Sequence, residues 1–257
     1  MYIHIQLLPF RSAPSLLSNR VIVVIDILRA TSVIVQAMSQ GAKEIIPVKT
    51  VEEAFQLAKT LPPSTTLLGG ERDSRKIEGF DLGNSPREYQ AETVKGKRLI
   101  LTTTNGTRAF HAVSSGKEVL VGSFFNISAV AGRCFEMDRD LLIYPSGDEG
   151  DFSLEDTVCG GMLIDRIMKK SNQSFRLTDA SLSAHILYQR FETSLIESFY
   201  LSHHGKDLVD RGFEEDLPHC AQVDMTNVVP VFKEGVIRIP HPSPLRGEGK
   251  GEGSSLC

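Results

Sequence analysis

The chain has 257 residues, 41% of them hydrophobic and 23% charged, with a formal net charge of -4. That balance suits a soluble globular protein of one large domain or two closely packed halves. It lacks the basic stripe expected of a nucleic-acid binder, and its longest apolar runs, such as Val21–Ile25, are strand-sized and far too short to span a bilayer.

The start, Met1-Tyr2-Ile3-His4-Ile5-Gln6, has no basic segment, long apolar stretch or small-residue cleavage site, so no signal peptide is expected. Val21–Ile25 then reads as a buried strand. A helix is predicted over 31–40, with Val33, Ile34, Ala37 and Met38 on one face and Gly41 as its stop. A strand over 44–48 follows. Thr50 and Glu53 have capping-box spacing before the apolar face of Ala54, Phe55, Leu57 and Ala58, and Pro62-Pro63 closes that helix. A short strand at 65–68 runs into Gly69-Gly70. The pattern repeats faintly: strand 98–101, helix 107–113, strand 116–121. A third unit has a strand over 140–144, a glycine-rich loop and a helix from Ser153 to Met168. This alternation predicts an α/β fold, a layered α/β/α with a largely parallel or mixed sheet built from repeated strand-loop-helix units. Such sheets bind ligands at the carboxyl ends of their strands, so residues after Ile25, Leu68, Leu101 and Tyr144 should share one crevice. The folded part is expected to cover 1–239, with two similar halves as one arrangement. Residues 240–257, PHPSPLRGEGKGEGSSLC, read as a disordered low-complexity tail. The four cysteines, Cys134, Cys159, Cys220 and Cys257, have neither zinc-ligand nor disulfide-framework spacing, which fits a reducing cytoplasm.

Four loops carry chemistry. After the first strand comes Asp26-Ile-Leu-Arg29-Ala-Thr31. An acid ending a buried strand is costly unless paired or metal-bound. Asp26 suits a hard-cation ligand or an aspartyl nucleophile, and Arg29 a phosphate clamp. The structural alternative is an Asp26–Arg29 ion pair with Thr31 as a helix cap. Glu71 and Arg72 open a long, glycine-punctuated loop reaching Asn84-Ser85-Pro86, where Ser85 and Pro86 also read as a helix start. Thr102-Thr-Thr104-Asn105-Gly106-Thr107-Arg108 follows a strand and opens a helix, a plausible phosphate cradle; the alternative is a hydroxyl-rich cap on a turn. In the last loop, Ser153 and Asp156 have capping-box-like spacing, and Asp156 or Glu155 could also serve magnesium. His203-His204-Gly205 lacks partner ligands and reads as a helix end. His185 reads as packing or surface, and Asp224 as an ordinary loop acid.

VVIDILRATSVIVQAMSQGA, GERDSRKIEGFDLGNSPREY, LTTTNGTRA and SLEDTVCGG, in this order and spacing, resemble the 2-phosphosulfolactate phosphatase (ComB-like) family over 1–239, with CAQVDMTNVVP as a fifth match. The resemblance implies a Mg²⁺-dependent hydrolase that converts (R)-2-phospho-3-sulfolactate to 3-sulfolactate and phosphate, in archaea a step of coenzyme M biosynthesis. Where that family has a glycine-rich piece, this chain has Asp73-Ser74. On this reading Asp26, Arg29, Glu71 and Arg72 are catalytic. Asn84, Thr104, Asn105, Gly106, Thr107 and Arg108 bind substrate, and Asp26, Glu71 and Asp156 hold the metal. Whether Asp26 ligates or attacks stays open. The expected partner is a small anionic phosphate ester, with no nucleic acid and no membrane; a homodimer is the base-rate expectation. The alternatives are a phosphatase for another 2-phospho-hydroxy acid, or a non-catalytic anion binder on the same scaffold.

Overall fold

A computed structural model describes residues 1–9, 17–170 and 174–240. The expected tail lies outside the described residues from 241 onward. The strands are β1 Tyr2–Ile5, β2 Val21–Ile25, β3 Glu44–Pro47, β4 Thr66–Arg72, β5 Arg75–Lys76, β6 Arg98–Thr102, β7 Glu118–Gly122, β8 Leu141–Pro145, β9 Arg176–Leu177, β10 Val231–Lys233 and β11 Val236–Arg238. They join one sheet in the order β5-β4-β6-β3-β11-β10-β7-β2-β8-β1-β9.

Two parallel blocks make up most of it. β7, β2, β8, β1 and β9 run together, as do β4, β6 and β3. β2 and β8 are buried at every position, which explains why they read as unbroken Val/Ile/Leu runs rather than alternating ones. The β10–β11 hairpin lies between the blocks and pairs antiparallel with β7 on one side and β3 on the other. Its two-residue turn, Glu234-Gly235, takes positive φ at both residues (53° and 81°), the turn whose twist suits a hairpin. Three successive antiparallel pairings leave β3 and β7 with opposite polarity. Glu44 pins this seam: it sits buried at the start of β3 and pairs with Arg98 of β6 and Arg238 of β11. Burial pushes its carboxyl up, but the two arginines outweigh that and hold it below the ordinary range.

Helices cover both faces. The helices Ile127–Met137, Leu154–Met168 and Asp179–Phe191 pack on the face carrying Ile3, Ile5, Val23, Ile25 and Ile143. The helix Val51–Lys59 covers Leu68 and Ile100 at the other end, opened by Thr50, whose hydroxyl accepts from Glu53 N as its spacing predicts. Two further helices, Ala30–Ser39 and Gly106–Ala112, share one core with Ile22, Val24, Val121 and Tyr144 of one block and Ile45, Leu99 and Leu101 of the other. Both blocks therefore turn the same face of the sheet toward this helix pair. No helix among the described residues is long and apolar enough to cross a membrane.

Candidate active site

The loops after β2, β6 and β8, the end of β4 and one wall of the helix His203–Asp210 enclose a cleft of about 380 Å³. The expected convergence of strand ends is what the fold delivers: Asp26, Glu71, Thr103, Thr104, Asn105 and Asp148 all line it.

Asp26 follows β2 directly and is 6% exposed. Its Oδ1 accepts from Ala30 N (2.9 Å) and its Oδ2 from Ser146 Oγ (2.8 Å). Thr31 does not cap with its side chain in the expected way. Its hydroxyl donates back to Asp26 O and accepts from Asp26 N, closing the turn that aims the carboxylate. Gly106 allows the β6 loop to come close, since a Cβ there would fall 2.6 Å from Asp26 Oδ2 and 2.4 Å from Ala30 Cβ. Burial pushes the Asp26 carboxyl up. The bonds from Ala30 and Ser146 and the charge of His204 oppose that, while Glu71 adds to it. Asp156, behind Asp26, is pushed well up, first by burial and then by the charges of Asp26 and Glu155.

The alternative Asp26–Arg29 ion pair does not form. Arg29 turns to Asp216 (Nη1 to Oδ2, 2.7 Å), donates to Ser74 O and lies 4.3 Å from the Phe213 ring centroid. Ser85 Oγ donates to the other Asp216 oxygen at 2.6 Å instead of capping the short 3₁₀ helix Pro86–Glu88. Arg29 lines the cleft with its Nε buried and without a hydrogen-bond partner, as is Asn84 Oδ1. The long loop after Glu71 holds a tight hairpin: β4 and β5 pair antiparallel around Asp73 and Ser74, both at positive φ (51° and 63°). Positive φ is the conformation that glycine adopts without strain. Glu71 secures the turn, its Oε2 accepting from Ser74 N (2.9 Å) and its Oε1 from Thr104 N (2.7 Å).

Several candidates are not on the cleft wall. Arg72 turns away, donating to its neighbours' carbonyls, Glu71 O and Lys49 O, and to Thr102 Oγ1. Thr107 is wholly buried, its hydroxyl donating to Thr103 O. Gly106 is buried beneath Asp26, and Arg108 is exposed on the helix Gly106–Ala112 outside the cleft lining. Asp156 is a strut: its Oδ1 accepts from Ile27 N (2.7 Å), and Ser153 caps its helix as the spacing predicts. Asn105 Oδ1 accepts from Glu149 N at 3.3 Å, tying the β6 loop to the β8 loop. Asp224 is more than a loop acid, since it accepts from Ser128 N and Oγ at the start of the helix Ile127–Met137. His185 packs against buried Asp165.

The histidine pair is the largest departure. His203 opens a helix rather than ending one, with Ser202 Oγ accepting from Gly205 N. Both imidazoles reach Asp148 of the β8 loop: His203 Nδ1 to Oδ2 at 3.0 Å and His204 Nδ1 to Oδ1 at 3.3 Å. The imidazoles hold the Asp148 carboxyl down at about 2 against the upward push of burial. The Asp148 turn is rigid, because Asp148 and Asp151 exchange backbone hydrogen bonds and Glu149 and Gly150 both take positive φ. The adjacent His203-His204 was visible in the sequence, but its acidic partner lies more than fifty residues away and no spacing rule links them.

Acidic side chains outnumber arginines on the cleft wall. Among the described residues no three acidic, histidine or cysteine side chains gather as a ready-made chelate.

Comparison with known proteins gives one answer. The family model described as 2-phosphosulpholactate phosphatase matches residues 8–235. A probable 2-phosphosulfolactate phosphatase of Caldanaerobacter subterraneus subsp. tengcongensis is 45% identical over 222 residues, 86% of this chain and 91% of its own length. Proteins of the same description from Clostridium novyi (44%, covering 84% and 90%) and Clostridium tetani (41%, covering 86% and 93%) align over a similar span. With a match across nearly all of the folded chain and relatives above two-fifths identical, the chain belongs to the 2-phosphosulpholactate phosphatase family, a family of phosphoric monoester hydrolases.

Proposed function

We propose that this protein is a Mg²⁺-dependent phosphatase that hydrolyses (R)-2-phospho-3-sulfolactate to 3-sulfolactate and phosphate in the cytoplasm. The observation that carries the reading is a buried Asp26, held by Ala30 N and Ser146 Oγ, opening on an acidic cleft with no arginine paired to it. A phosphate dianion entering such a cleft needs a cation beside it. The donors fit magnesium, which takes one or two carboxylates and completes its shell with water and phosphate oxygens. Asp26 and Glu71 are the carboxylates that would hold it, with Asp156 fixing the Asp26 turn from behind. When bound, the ion would neutralise charge on the phosphoryl group.

The chain's own residues do the positioning. Arg29 is clamped by Asp216 and Phe213, so its unpartnered Nε is a fixed donor, and Asn84, also on the cleft lining, has an unpartnered Oδ1. Thr104 and Asn105 add polar groups to the cleft lining. The names of the relatives support phosphosulfolactate as the substrate. Three buried free cysteines, Cys134, Cys159 and Cys220, suit a reducing compartment. A homodimer belongs to the same proposal on base rate.

The test is phosphate release from 2-phosphosulfolactate with and without Mg²⁺, beside a panel of 2-phospho-hydroxy acids. Turnover that requires Mg²⁺ and is fastest on phosphosulfolactate is expected. A different fastest substrate would keep the reaction and replace the metabolite. Tight anion binding with no turnover would overturn the enzymatic reading.

A further inference from the structure

Breaking a phosphate monoester expels an alkoxide, and an alkoxide is a poor leaving group until it gains a proton. The carboxylates already assigned leave no donor: on the phosphatase reading Asp26 and Glu71 would face a cation, and Asp156 is tied to Ile27 N. We propose that His204, oriented by Asp148, is the general acid that protonates the leaving oxygen of the ester. This rests on the phosphatase reading and names a residue that the reading does not use.

The geometry carries it. Against a carboxylate, His204 Nδ1 must bear the hydrogen, which fixes the tautomer and leaves Nε2 as the second working atom. Nε2 has no hydrogen-bond partner among the described residues, and His204 lines the same cleft as Asp26. Both histidines line the cleft, but the His203 side chain is 91% exposed and that of His204 21%, so His204 is the one held against the protein. The orienting group is itself fixed. Asp148 sits at the base of a two-residue turn, closed by backbone bonds of 3.1 and 2.8 Å. Ser202 caps the first turn of the histidine helix, and Gly205 packs so closely on Phe199 that a Cβ would fall 1.9 Å from its carbonyl oxygen.

The charges facing the imidazole favour its protonated form. Burial and the helix N-terminus disfavour a cation there, yet in the metal-free protein the Asp148 bond and the charges of Glu155, Asp148 and, last, Asp26 raise the imidazole above its ordinary value. Glu155 presents a buried Oε2 without a partner. In the reaction the ester P–O bond breaks as the leaving oxygen takes the Nε2 proton. Water adds to phosphorus on the opposite, in-line face and its proton passes to solvent, from which Nε2 is reprotonated, so each turnover consumes one ester and one water and yields one alcohol and one phosphate.

The experiment compares an alkyl with an aryl ester. For His204→Asn, kcat on the 2-phospho-hydroxy acid should fall about 10²- to 10⁴-fold. The fall on p-nitrophenyl phosphate, whose nitrophenolate leaves without a proton, should be at least about tenfold smaller. Equal losses on both esters, or no loss on either, overturn the role. A second measurement is independent of turnover: ¹⁵N-resolved titration of the imidazole should show the Nδ1–H tautomer and a midpoint above that of free imidazole, lowered in Asp148→Asn. An Nε2–H tautomer overturns the proposal. If the unsubstituted protein hydrolyses neither ester, the phosphatase reading itself fails, and this role with it.

Discussion

Removing Asp216 tests whether the active-site arginine is held by a buried charge pair. Arg29 and Asp216 meet at 2.7 Å with side chains 1% and 3% exposed, and Asp216 also accepts from Ser85 Oγ at 2.6 Å. Asp216→Ala leaves a guanidinium buried without its counter-charge, which costs about 3–5 kcal/mol. The unpaired Ser85 hydroxyl adds about 1 kcal/mol. In a chain of this size each kcal/mol moves Tm by roughly 2–4 °C, so Tm should fall by roughly 10 °C or more. The double variant Arg29→Met with Asp216→Leu removes both charges and should regain most of that loss in stability, because a buried pair is often replaceable by apolar side chains at little cost. Activity would not return, since the cleft loses the Arg29 Nε. Urea unfolding of the wild type, the two single variants and the double variant forms a thermodynamic cycle. A loss below about 1 kcal/mol in Asp216→Ala, or a double variant as unstable as the sum of the singles, would refute the reasoning.

Asp26→Asn should abolish turnover yet stabilise the metal-free protein at pH 7. Burial raises the Asp26 carboxyl, so the folded state favours its protonated form; the ionised form costs stability above the unfolded value of about 4. The gain from Asn should therefore shrink as pH falls toward 4, and thermal unfolding from pH 4 to 8 reads it; a less stable variant at pH 7 would count against the burial argument. Gly106→Ala drives a methyl into Asp26 Oδ2 and Ala30 Cβ. It should cost about 1–3 kcal/mol by overpacking and a larger share of kcat, and unchanged kcat would mean that the close approach is dispensable.

The parts of the fold that a reader of the sequence can find are those fixed by short-range rules. β2, β6 and β8 are fully or nearly fully buried strands, and burial on both faces writes itself as an apolar run. Thr50 and Ser153 cap helices three residues ahead, a distance set by helix geometry alone. The four strand-end loops follow from the same grammar, and they do meet. What stayed hidden depends on long-range partners. Arg29 looked ready to pair with Asp26, three residues back, but its acid lies 187 residues further on. Asp73 and Ser74 are common turn residues, but their types alone did not show that both take positive φ in a tight hairpin. The β10 and β11 strands are three residues each, joined by Glu-Gly rather than by the Asn-Gly that marks such turns, so nothing foretold a central place in the sheet.

That central place sets an order of assembly. During synthesis the strands of both parallel blocks emerge first, from β1 to β9, yet β3 and β7 cannot join, because the two strands between them are the last described ones to leave the ribosome. Until residues 231–238 arrive, Glu44 lacks Arg238 and the sheet has two raw edges facing each other. The cleft draws on both blocks, so it becomes complete only when this late clasp closes. A chain cut short before residue 231 would carry Asp26, Glu71 and His204 intact and still lack the join that holds the two halves of their cleft in register.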